Sequence, residues 1–74
     1  MYELEILLNQ QSATIKTQDS SIQAIRENLP HPIEVEAFGP QIFLSMLGKV
    51  SDVSLTLKDQ SNNEIDRDTY QLKF

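Results

Sequence analysis

The chain has 74 residues, 39% hydrophobic and 23% charged, and fits one compact domain over residues 1–74; with no cysteine, disulfide and thiolate–metal staples for its thin core are excluded. Its net charge is −5, and Lys16, Arg26, Lys49, Lys58, Arg67 and Lys73 are scattered, which excludes the clustered basic face that nucleic-acid binding requires. No apolar run approaches the roughly 18 residues of a membrane span, and the start Met1, Tyr2, Glu3, Leu4, Glu5 lacks the basic and apolar regions of a signal peptide, so a cytoplasmic protein without nucleic-acid or membrane partners is expected.

The first segment alternates. Tyr2, Leu4, Ile6 and Leu8 share one parity and Glu3, Glu5 and Leu7 the other, the pattern of a half-buried strand. Asn9, Gln10, Gln11 and Ser12 are polar and turn-like, after which Ala13, Ile15 and Thr17 alternate with Thr14, Lys16 and Gln18. The two runs predict a β-hairpin, although the loop lacks the Asn-Gly or Asp-Gly pair that most strongly marks a tight turn. A helix is predicted over residues 20–29. Thr17, Asp19 and Ser20 all suit its N-cap, Ser20 with Gln23 fits a capping box, and Ile22, Ile25 and Leu29 form an inward stripe. Pro30 and Pro32 stop it, since neither can donate to its ladder.

Residues 33–38 alternate again, with Ile33, Val35 and Ala37 set against Glu34 and Glu36. The pattern predicts a third strand. Gly39 and Pro40 punctuate the chain, and a proline there suits the first position of a helix. Ile42, Phe43, Met46, Leu47 and Val50 then make one broad apolar helical face, which Gly48 ends or weakens. A strand through residues 42–44 is the alternative. Val53, Leu55 and Leu57 alternate with Ser54, Thr56 and Lys58, turn formers fill residues 59–63, and Tyr70, Leu72 and Phe74 alternate at the end. The order β-β-α-β-α-β-β predicts an α+β domain: a small, mostly antiparallel sheet with one or two helices packed on one face.

No reading of the chemistry yields an enzyme. His31 is the only histidine and sits between Pro30 and Pro32, where an exposed loop residue accounts for it. Ser20 and Ser21 read as capping residues, and Ser45 has no glycine-flanked elbow. Glu3 with Glu5, and Glu34 with Glu36, are i, i+2 pairs on predicted strands, so each pair points to one face. On neighbouring strands the four carboxylates would share that face. Such a group could poise acid–base chemistry, but a chain this small has little room for a deep pocket. A solvated or partner-binding face is the simpler account.

Asp59, Ser61 and Asn63 match the first oxygen positions of a calcium loop. The match fails at position six, Glu64 where glycine is needed, and at position twelve, Tyr70 where a bidentate Glu is needed. A hairpin turn explains the segment. Gly39 and Gly48 are the only glycines, too few for a phosphate-binding loop. No cofactor, metal site or catalytic residue is expected.

The expectation is therefore a small acidic non-enzymatic interaction domain: an adaptor, accessory subunit or inhibitor that occupies a partner's surface. A narrower form is a phage-type inhibitor of a host protein, a task that suits small acidic chains without cysteine. The alternative is a structural or assembly protein that self-associates through a sheet edge or the helical face of residues 42–50. Contact with another protein, or with itself, is expected on the acidic face of Glu3, Glu5, Glu34 and Glu36, or along the terminal strand of Tyr70, Leu72 and Phe74. A terminal strand commonly lies at a sheet edge with unpaired backbone groups, which Lys73 alone would guard.

Overall fold

The computed structural model describes residues 1–73, and Phe74 lies outside the described residues. The described residues form β1 (Tyr2–Leu8), β2 (Gln11–Thr17), α1 (Ile22–Asn28), α2 (Ile33–Phe38), α3 (Gln41–Ser45), β3 (Val50–Lys58) and β4 (Glu64–Lys73). The strands make one antiparallel sheet in the order β2-β1-β3-β4. The helices, all between β2 and β3, cover one of its faces, giving the α+β architecture that the alternation predicts.

The centre of the sheet is the centre of the core. Leu4, Ile6 and Leu8 of β1 lie beside Leu57, Leu55 and Val53 of β3, and none of the six is more than 1% exposed. Full burial of such a side chain contributes about 1.5–3 kcal/mol each. Ile22 and Ile25 of α1, Ile33 of α2, and Ile42 with Met46 at α3 close over them. On the flanking strands the inward positions are only half-buried: Ala13, Ile15 and Thr17 on β2, and Asp66, Asp68, Tyr70 and Leu72 on β4.

The first hairpin closes with Leu8 opposite Gln11. Asn9 and Gln10 fill its two-residue turn with φ of 48° and 68°. Both lie in the left-handed region, the geometry whose twist matches the flanking strands. The second hairpin is closed by Asp59, whose Oδ1 accepts from the backbone N–H of Ser61 and of Asn63 at 2.9 Å each. That carboxylate oxygen is committed to holding its own turn, as the sequence reading of the loop requires.

α1 forms where its inward stripe predicts, but its N-cap is Ser21 rather than Ser20. The Ser21 Oγ accepts from the N–H of Ala24 at 3.1 Å. The capping box of Ser20 and Gln23 is not made, because Gln23 donates instead to Glu27 across one turn of helix. Asp66 of β4 accepts from the N–H of Ile22 at 2.8 Å. Two of the free N–H groups at the start of α1 are thus satisfied, one of them from the far edge of the sheet.

Residues 33–38 are helical, not the third strand that their alternation predicts. Over six residues, apolar positions at Ile33 and Ala37 fit an i, i+4 helical pair as well as a period of two. The flanks decide. Pro32 presets the entry, and its carbonyl accepts from Glu36 at 3.1 Å. Glu34 and Glu36 sit in the first turn, where negative charge suits the helix dipole. Gly39 ends the helix at φ 86°, a backbone conformation that residues with a Cβ rarely adopt.

α3 is shorter than the face from Ile42 to Val50 implies. It stops at Ser45, Met46 caps it, and Gly48 turns the chain at φ 76° into β3. Ile42 and Met46 are buried at 3% and 1% exposure, as predicted. Leu47 and Val50, expected on the same inward face, point outward. The helix ends before they come round, and Val50 already alternates as a strand residue with buried Ser51.

Candidate functional site

The structure disperses the predicted acidic face. Glu3 and Glu5 are on the open face of β1, and that face is mixed in charge. Glu3 lies between Lys16 of β2 and Lys58 of β3, and Glu5 pairs with Lys58 at 3.3 Å. Glu34 and Glu36 are on α2, on the other side of the sheet, because their segment is helical. Glu36 is exposed and reaches His31 Nδ1 at 2.9 Å. Glu34 is 6% exposed.

Glu34 belongs to a polar lock between α2 and β4. The Tyr70 hydroxyl donates to its Oε1 at 2.5 Å. The Arg26 guanidinium of α1 lies 4.8 Å from the centroid of the Tyr70 ring and pairs with Asp68 at 3.2 Å. Burial pushes the Tyr70 phenol well above its ordinary pKa, and the hydrogen bond and charge of Glu34 push it further, against a smaller opposing pull from Arg26. Arg26, Glu34 and Tyr70 line a shallow groove of ≈ 430 Å³ with His31, Pro32 and Ile33. Its polar side chains are already paired, Tyr70 with Glu34, Arg26 with Asp68 and His31 with Glu36, so its chemistry is that of a clamp fixing α1 and α2 to an edge strand.

The predicted terminal strand is an edge strand. The side chains of Tyr70 and Leu72, however, serve the fold. Tyr70 is held by Glu34, and Leu72 packs against the core cluster. The outer backbone of β4 and its outward side chains, Thr69, Gln71 and Lys73 among them, remain open to a partner, and the predicted contact at Phe74 lies outside the described residues.

Sequence reasoning named the helical face of residues 42–50 as a surface for self-association, but it missed that the exposed part is an apolar tip that includes Leu44 and excludes the buried Ile42 and Met46. Leu44 is 72% exposed, Leu47 65% and Val50 59%, and the three fall within seven residues across the end of α3, the Gly48 turn and the start of β3. Leu7 and Ile65 are exposed as well, but each stands on the open sheet face or a hairpin end apart from this run. The signal for the tip lay in the spacing. Once Ile42 and Met46 take the inward i, i+4 pair, Leu44 falls on the opposite side of the helix, and Leu47 lies beyond its end at Ser45. The helix ends at Ser45, and Gly48 at φ 76° turns the chain so that Val50 joins β3.

Among the described residues no group of His, Asp or Glu is arranged to hold a metal ion. No helix among them is long and apolar enough to cross a membrane. Comparison with protein-family models, with curated proteins and with solved structures finds no match.

Proposed function

We propose that the chain is a small non-enzymatic interaction domain that binds another protein in the cytosol through the tip formed by Leu44, Leu47 and Val50. The observation that carries this reading is the exposure of those three side chains. A domain with a thin core gains about 1.5–3 kcal/mol for each large apolar residue it buries. Three left open within seven residues therefore mark a surface completed by something else, whereas apolar residues scattered singly carry no such meaning. The grooves on the rest of the molecule are shallow and open. An adaptor or inhibitor that works by covering a partner's surface fits this arrangement. A phage-type inhibitor of a host protein is its narrower form, supported by size, charge and the lack of cysteine.

The test is affinity capture from the native host with the wild-type chain and with Leu44→Asp/Leu47→Asp, followed by titration of purified captured protein. Loss of these contacts should weaken binding at least about tenfold, the scale of a hot-spot truncation. The melting temperature should not fall, since neither side chain is in the core. A purified partner that binds both chains equally well would remove the tip from consideration.

A further inference from the structure

The two edges of the sheet are built differently. β4 carries the devices that stop strands from adding to an edge. Its inward positions include the charged Asp66 and Asp68, its pairing with β3 is interrupted by an irregularity at Leu57 and Lys58, and Arg67 and Glu64 form an ion pair at 2.6 Å along it. β2 carries almost none. It is seven residues long, contains neither proline nor glycine, keeps an unbroken register with β1 and has Lys16 as its single charge.

The hairpin fixes which backbone groups of β2 are open. In a two-residue hairpin the closing pair, here Leu8 and Gln11, exchanges both backbone hydrogen bonds. Alternation then directs the N–H and C=O of Gln11, Ala13, Ile15 and Thr17 to β1. Those of Ser12, Thr14 and Lys16 point away from the sheet.

We propose that β2 pairs antiparallel with β2 of a second copy of this chain about a two-fold axis at Thr14, joining the two sheets into one of eight strands. The sequence of β2 is self-complementary in this register. Thr14 faces Thr14 of the second copy as a hydrogen-bonded pair. Ser12 faces Lys16, so no like charges meet, and Gln11 faces Thr17. Ala13 faces Ile15 on the helix-covered side. The half-buried Ile15 of each copy thus gains an apolar neighbour where its own core is open. Centring on Lys16 instead would set Lys16 against itself, which is destabilising, and centring on Ser12 would leave most of the strand unpaired. The proposal adds a second copy to the tip reading and is independent of it, because β2 and the tip share no residue.

The experiment is sedimentation equilibrium on the full chain up to about 1 mM, a range chosen because a single strand pair lies at the small end of interface sizes. The mass should rise with concentration from 8.5 kDa toward twice that value. Thr14→Pro should hold it at 8.5 kDa. Its melt under dilute conditions should stay cooperative, since the lost N–H points outward and proline is tolerated at such edge positions. Thr14→Cys gives a second readout that needs no disruption of the strand. Hydrogen-bonded antiparallel partners stand about 5.5 Å apart between Cα atoms, within disulfide range. Mild oxidation should therefore yield a covalent dimer, whereas Thr69→Cys on the exposed face of β4 should stay monomeric. Leu44→Asp should leave the dimer intact. A mass that never leaves 8.5 kDa overturns the proposal. So does a dimer that survives Thr14→Pro, one lost in Leu44→Asp, or equal cross-linking at positions 14 and 69.

Discussion

Replacing Tyr70 with phenylalanine should cost the domain a large share of its stability. The substitution keeps the ring under Arg26 and removes one atom. That atom donates at 2.5 Å to Glu34, a carboxylate with 6% exposure. A hydrogen bond to a charged group is worth about 1.5–3 kcal/mol, and a buried acceptor left without its partner loses solvation that the protein no longer replaces. For a chain of 74 residues, total stability on the usual per-residue scale is roughly 4–11 kcal/mol. The predicted loss of about 1.5–3 kcal/mol should lower the melting temperature by roughly 6–24 °C. Urea unfolding followed by circular dichroism would measure it, with an unchanged m-value showing that the folded state keeps its compactness. The comparison that isolates the bond is Tyr70→Phe with Glu34→Leu. Removing both polar partners should be less destabilising than removing the hydroxyl alone. A loss below about 0.5 kcal/mol in the single variant, the usual surface value, would mean that Glu34 does not depend on Tyr70.

The same bond has a pH signature. Tyr70 keeps its proton further into the alkaline range when folded than when unfolded. Below about pH 10, the ordinary tyrosine value, both states hold it and the contribution is complete. Above that pH the unfolded chain releases the proton first, so stability should fall as pH rises, and this fall should be smaller in Tyr70→Phe. Ile25, 1% exposed on the inward face of α1, should cost about 2–5 kcal/mol on truncation to alanine; a surface-like value would take it out of the core. Asp66→Ala removes the side-chain acceptor of the Ile22 N–H and should cost about 0.5–2 kcal/mol, with hydrogen exchange at the start of α1 speeding up more than in the central strands.

The parts of the fold legible in the sequence are those where one local signal acts alone. Strict alternation over β1 and β3 had no helical competitor, and the stripe of Ile22, Ile25 and Leu29 had no strand competitor. Residues 33–38 carried both signals, and the choice fell to Pro32 and Gly39, whose effect lies outside the periodic segment. Everything inferred from that segment moved with it. Glu34 and Glu36 left the sheet face, and a supposed interaction surface became, at Glu34, an internal hydrogen bond. The lock itself joins residues 36 apart in sequence, a pairing that no local pattern encodes. The tip was legible in principle. It required treating Gly48 as a hard stop and then asking which apolar residues the shortened helix could no longer bury.

The strand order β2-β1-β3-β4 also sets how the chain must fold. Each outer pair is a hairpin whose partners are adjacent in sequence, and a hairpin can form in about 1–10 μs. The seam between β1 and β3 is different: Leu4 meets Leu57 and Ile6 meets Leu55 only after the whole helical segment has been drawn across the sheet. That closure loses chain entropy before any contact rewards it, which makes non-local pairing the slow step. The two most deeply buried strands are therefore expected to meet last. Until they do, two preformed hairpins each expose one strand of Leu, Ile and Val to solvent, and it is in that interval that the chain is most open to wrong pairing.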